Sequence, residues 1–103
     1  MYVELDKDTY GAAIAAAEQG IVLCSKKLCP HCANMAKVME KFSAKQPGVA
    51  LFKVDSEEQP EVMTALGAER VPTLFIIKSG KVAAGKAGLM NPKELSALYD
   101  GAK

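Results

Sequence analysis

Apolar and polar positions along the 103 residues follow two periods, and the breaks between them divide the chain into nine short segments. Tyr2–Leu5 predicts a short strand. Asp6 or Asp8 then caps a helix whose body, Ala12-Ala13-Ile14-Ala15-Ala16-Ala17-Glu18, is dominated by the best helix former, and Gly20 is expected to stop it as a C′ glycine. Ile21-Val22-Leu23-Cys24 is a continuous apolar run, β-branched at its start, and predicts a strand buried on both faces. Farther on, Met35, Val38, Met39 and Phe42 fall at helical spacing with Lys37, Glu40, Lys41 and Lys45 opposite, until Pro47-Gly48 ends the helix. Val49–Val54 is a second buried strand, and Pro60 opens a helix that runs through Leu66 and closes at Gly67. Pro72–Ile77 is a third apolar strand, turned at Ser79-Gly80 into an antiparallel partner over Lys81–Ala84. Asn91-Pro92-Lys93-Glu94 carries a cap, a proline at the first helical position and a glutamate at the third, so a last helix starts there and runs to Tyr99.

The order β-α-β-α-β-α-β-β-α predicts an α/β fold. Its sheet holds two or three parallel strands and finishes in one antiparallel hairpin. Length and composition add limits. About one hundred residues suit a single domain over 1–103, and 50% hydrophobic with 24% charged residues is globular composition. The net charge of +1 excludes an obvious basic surface for nucleic acid. The apolar runs are strand-sized, well short of the roughly 20 residues of a membrane helix, and the start at Met1-Tyr2-Val3 has no basic region leading into an apolar core. A cytoplasmic chain that contacts neither membrane nor nucleic acid, and works as a monomer, is the expectation.

The candidate chemistry lies in three cysteines. A secreted disulfide scaffold of this length would carry an even set of four or more. Here Cys29 and Cys32 form a C-x-x-C pair between a buried strand and an amphipathic helix, and Cys24 stands five residues upstream. A dithiol that exchanges disulfides needs one accessible thiolate as nucleophile and a second thiol close enough to resolve the mixed disulfide. A first cysteine just ahead of a helix meets both needs. The helix wraps the second thiol back towards it, and the unpaired N–H groups of the helix start favour the thiolate. Pro30 opens the helix without losing a needed N–H, and His31 adds a hydrogen-bond donor. Two incidental thiols would not account for this placement. A zinc site would have to draw on Cys24, Cys29, His31 and Cys32, which lie too close along the chain for a tetrahedral cage, so no metal is expected.

With the redox pair, several other segments resemble the thioredoxin family over nearly the whole chain: Lys53-Val54-Asp55 followed by Pro60, Val71-Pro72-Thr73-Leu74, Lys78-Ser79-Gly80-Lys81-Val82, and Gly88 ahead of the last helix. The resemblance implies a thioredoxin fold with four helices around a mixed sheet, and a protein-disulfide oxidoreductase with Cys29 as nucleophile and Cys32 as resolving thiol. It implies a cis Val71-Pro72 bond beside the redox pair, with Val71, Pro72, Thr73 and Gly88 binding extended substrate. It further implies electron transfer to protein disulfides, recycling by an enzyme such as a thioredoxin reductase, and no cofactor. The chain departs from the family pattern in three places. Leu28 stands where the family carries Trp, Pro30-His31 where it carries Gly-Pro, and Leu23 where it buries an Asp that takes the proton of the resolving thiol. Pro-His is the dipeptide of DsbA-type oxidants. Proton removal from Cys32 must then use water, Lys53 or His31.

Other residues have plainer readings. Cys24 in its apolar run acts as a small core hydrophobe. Met35, Met39 and Phe42 are core by their spacing, although with Met63 they could line a substrate groove. Lys26 and Lys27 either steer acidic partners or are solvated loop residues. Two rival functions remain: a glutaredoxin-like enzyme, marked by turnover that depends on glutathione, and a non-enzymatic peptide-binding module, marked by binding that survives loss of both cysteines.

Overall fold

The computed structural model describes residues 2–102. Nine elements follow in the predicted order: β1 (Val3–Glu4), α1 (Tyr10–Ala16), β2 (Gln19–Ser25), α2 (Pro30–Lys45), β3 (Ala50–Asp55), α3 (Pro60–Leu66), β4 (Thr73–Lys78), β5 (Lys81–Ala87) and α4 (Pro92–Gly101). The five strands form one sheet in the order β1-β3-β2-β4-β5. β1, β3 and β2 are parallel, so of the two or three parallel strands expected the sheet holds three. β4 runs antiparallel to β2 and β5 antiparallel to β4. The third apolar strand therefore pairs with β2 in the opposite sense, and the hairpin extends that antiparallel half to the sheet edge.

Side chains alternate across the sheet with period two, which builds two apolar layers. Ile21, Leu23, Leu51, Leu74 and Ile76 meet Met35, Met39 and Phe42 of α2 and Leu95 and Tyr99 of α4. Val22, Cys24, Phe52, Val54, Phe75 and Ile77 meet Ile14 of α1 and Val62 and Met63 of α3. The helical spacing of Met35, Met39 and Phe42 thus reports core, and Met63 belongs to the opposite core layer.

Three local expectations change. Gly20 does not end α1: the helix stops at Ala16, where Ala17 turns extended at φ −89° and ψ 121°. Gly20 instead lies inside β2 opposite Ala50, and a Cβ there would come within 3.0 Å of the Phe52 ring. Its lack of a side chain serves packing of the strand rather than termination of the helix. Neither Asp6 nor Asp8 caps α1: its N-cap is Thr9, which makes no side-chain cap bond, and Asp6 instead holds the turn ahead of the helix. Asp6 Oδ1 accepts the backbone N–H groups of Asp8 (2.8 Å) and Thr9 (2.9 Å), and these bonds hold its pKa below the ordinary carboxylate value. β5 extends past Ala84 to Ala87, with a register irregularity between Ile76 and Ile77 where the ladder adjusts.

Candidate active site

β2 ends at Ser25, and Lys26-Lys27-Leu28 carries the chain to the first turn of α2. Lys27 pairs with Glu58 at 3.5 Å, both side chains well exposed, so this ion pair adds little stability. Leu28 is fully exposed and sits at φ +55°, a left-handed conformation that disfavours a branched side chain. The turn it makes delivers Cys29 to the N-cap of α2, with extended backbone at φ −114° and ψ 103° and Pro30 in the first helical turn.

Cys29 and Cys32 are joined as a disulfide with Cα atoms 5.2 Å apart. Cys29 Sγ also accepts the backbone N–H of Cys32 at 3.2 Å. Cys29 is half-buried, whereas Cys32 is only 4% exposed. The more exposed cysteine therefore caps the positive end of a 16-residue helix, and the buried one lies within its first turn. Pro30 and His31 are both exposed on that first turn.

The predicted substrate-binding residues lie where the chain enters β4 and in the turn before α4, and Lys53 lies on β3. The Val71-Pro72 bond is cis. Pro72 and Thr73 are buried and Val71 half-buried, and the Thr73 hydroxyl donates to the Arg70 carbonyl at 2.6 Å. Gly88, at φ +93°, donates its N–H to the Pro72 carbonyl at 2.8 Å, so the proline loop and the loop before α4 are tied directly together. The positive φ is what requires glycine there.

Beside the disulfide lies an open cavity of about 500 Å³ bounded by Leu23, Lys26, Cys29, Cys32, Ala36 and Lys53. Leu23 and Lys53 are register partners on neighbouring strands, so the parallel β2–β3 pairing brings Lys53 to this cavity. The charged side chains lining it are both lysines. Lys53 Nζ also lies 6.0 Å from the centre of the Tyr2 ring. The Tyr2 hydroxyl donates to the Ala36 carbonyl of α2 at 2.9 Å, and its pKa is pushed up to about 12, by burial first and by the Glu40 charge second. In the sequence Tyr2 predicts only the start of a strand. It in fact lies just ahead of the two-residue strand β1, and an aromatic residue there gives no signal that it will pin the helix bearing the disulfide.

Cys24 points to the α1/α3 layer, across the sheet from Leu23. It is fully buried, and desolvation pushes its thiol pKa up to about 12. It is an inert core thiol.

With this geometry established, comparison with known proteins decides the family. The thioredoxin family model matches residues 1–100. The chain belongs to the thioredoxin family. The solution structure of desulfothioredoxin from Desulfovibrio vulgaris Hildenborough in its reduced form is 50% identical, covers 95% of each chain and superposes with a TM-score of 0.82. Thioredoxin of Chlamydia muridarum is 28% identical over 96 residues, 91% of each protein. A thioredoxin-named protein of Streptomyces coelicolor is 32% identical over 76 residues, 74% of this chain, and the match spans 57% of that protein's length. This family member is a thiol–disulfide oxidoreductase of thioredoxin fold. Family membership carries with it protein disulfides as substrates and recycling by a reductase. Among the described residues no helix is long and apolar enough to cross a membrane.

Proposed function

We propose that Cys29 is the attacking thiol and Cys32 the resolving thiol. The observation that carries this is the unequal exposure of the two cysteines at one helix start. In the reduced protein the Cys29 thiolate attacks one sulfur of a substrate disulfide. A Cys29–substrate bond forms, the substrate S–S bond breaks, and the departing thiolate takes a proton. Cys32 then loses its proton and attacks Cys29 Sγ. The second substrate thiol leaves, and the Cys29–Cys32 disulfide remains. Two electrons and two protons pass to the substrate.

Supporting roles follow from placement. The Cys32 N–H already bonded to Cys29 Sγ favours the thiolate when the disulfide is reduced. His31 on the exposed first turn tunes that thiolate further. With Leu23 in place of a carboxylate, the Lys53 ammonium favours the Cys32 thiolate across the cavity while its proton is lost. The Val71-Pro72-Thr73 turn and Gly88 form the rim on which extended substrate lies. Residues 1–103 act as one monomeric domain, in the cytoplasm, as an electron carrier to protein disulfides. The cytoplasmic placement is supported by cysteine usage, one redox pair and one buried thiol rather than a structural framework.

Trapping tests the assignment of the two sulfurs. Cys32→Ser should accumulate mixed disulfides with substrate proteins, because nothing resolves them, whereas Cys29→Ser should trap almost none. Equal trapping by the two variants would remove the assignment.

A further inference from the structure

We propose that Met35 is a positioning residue for substrate, its sulfur fixing the rim loop to the helix that bears the disulfide. The proposal rests on the reading of Val71, Pro72, Thr73 and Gly88 as the substrate rim. Met35 lies three residues after Cys32 in α2 and is fully buried. Its Sδ accepts the backbone N–H of Met90 at 3.2 Å, across 55 residues of sequence, and Met90 is itself only 3% exposed. Two residues before Met90, Gly88 donates to the Pro72 carbonyl. A continuous path therefore runs from Cys32 along one turn of α2, through Met35 Sδ to the Met90 amide, and on through Gly88 to the cis proline.

The chemistry explains why a methionine stands there. A thioether is a weak acceptor on a long, flexible stem, so it reaches a buried amide without bringing an oxygen into the core. Leucine would fill nearly the same volume. It would leave the Met90 N–H buried without a partner, and the segment from Gly88 to Met90 would have to shift to satisfy it. Met39, one turn later and also fully buried, gives the matched comparison. Among the described residues its sulfur takes no hydrogen bond, so Met39→Leu changes volume and chemistry equally without removing an acceptor.

The test uses Met35→Leu and Met39→Leu in the full chain. In Met35→Leu the Met90 amide should exchange with solvent about 10-fold faster, and KM for an extended peptide disulfide should rise about 3- to 10-fold with kcat within about twofold, the size expected of one lost hydrogen bond. Met39→Leu should change neither reading. Unchanged Met90 exchange in Met35→Leu, or an equal KM rise in both variants, overturns the proposal. If Met35→Leu does not fold, the unaltered protein decides: a Met90 amide that exchanges as fast as that of Leu89 overturns it, and markedly slower exchange supports it. Val71→Glu separates the two readings. A peptide KM unmoved by that change removes the rim assignment, while Met90 exchange still judges the sulfur contact by itself.

Discussion

α2 opens Cys29-Pro30-His31-Cys32 and α4 opens Asn91-Pro92-Lys93-Glu94, so in each a cap residue precedes a proline and the third helical residue turns back towards the cap. In α4 the Asn91 side chain accepts the Glu94 N–H at 2.7 Å, and the Glu94 carboxylate accepts the Asn91 N–H at 3.1 Å. This reciprocal box satisfies two amides that would otherwise lack partners, and it ends in stability. In α2 Cys29 Sγ accepts the Cys32 N–H in the same register, but the returning side chain is a second sulfur that closes a covalent bond. Both helices present polarised N–H groups at their start. In α4 those groups meet a neutral amide and are used up in holding the fold. In α2 they meet a sulfur that can take a negative charge, and the stabilisation appears as reactivity.

Breaking the α2 box where its chemistry resides should give the largest effect. Cys29→Asn turns the cap of α2 into that of α4. Turnover of a protein disulfide should fall to the uncatalysed background, while thermal unfolding shows a stably folded protein, since Asn ranks among the best caps. A variant that kept even a few per cent of activity would place the nucleophile elsewhere.

Cys24 shows what a thiol does away from a helix start. With its pKa pushed up to about 12, it should resist alkylation at neutral pH in the reduced, folded protein, while Cys29 is modified quickly. The shift also bears on stability. A thiol whose folded pKa is raised titrates first in the unfolded chain, so its contribution is intact below about pH 9 and is lost as pH rises towards 12. At about 1.4 kcal/mol per pH unit the loss is of the order of 4 kcal/mol. Tyr2, also raised to about 12, acts in the same direction over the upper part of that range. Denaturant midpoints between pH 8 and 11 should fall steeply in the unaltered protein and less in Cys24→Ala. Parallel curves would show that Cys24 does not titrate differently on unfolding.

A subtler change keeps the α2 box and alters only what lies between its ends. His31→Pro removes the exposed imidazole at fixed spacing. If His31 stabilises the Cys29 thiolate, it stabilises the reduced state. Its loss should make the dithiol more reducing by about 30–60 mV, or about 1.4–2.8 kcal/mol for two electrons. Equilibration with glutathione buffers measures this, and an unchanged midpoint leaves the tuning to the helix start alone.

Much of this comparison was legible in the sequence, because the relevant signals are local. The cap, proline and third-residue pattern of α4 is contained in four residues, and so is the redox pair. The strands announced themselves as apolar runs, and resemblance located the cis proline and Gly88. Gly20 was misread because a glycine after an alanine-rich helix carries the same local signal whether it ends the helix or yields space to a ring; the deciding contact, Phe52, lies on another strand. The hydrogen bonds of Tyr2 and Met35 escaped for a related reason. Their partners, the Ala36 carbonyl and the Met90 amide, are backbone atoms 34 and 55 residues away, and backbone partners leave no mark in the pattern of side chains.

The smallest expected effect tests the other half of the comparison. Asn91→Ala removes the acceptor of the Glu94 N–H and should lower stability by about 1 kcal/mol, the usual cost of a lost N-cap. Pro92 and the apolar face formed by Leu95 and Tyr99 keep α4 in place, so the loss should stay local. The redox midpoint should not move, because nothing in that box bears on the charge of Cys29. A denaturation midpoint and a redox titration on the same sample check both statements together. Gly88 lies only three residues before Asn91 and joins the Pro72 loop, so a frayed α4 start that loosened the rim would appear as a raised peptide KM at unchanged midpoint. In that case the stabilising box and the reactive one would be mechanically coupled through the segment between Gly88 and Asn91, and the division of labour between the two helix starts would hold for charge but not for substrate binding.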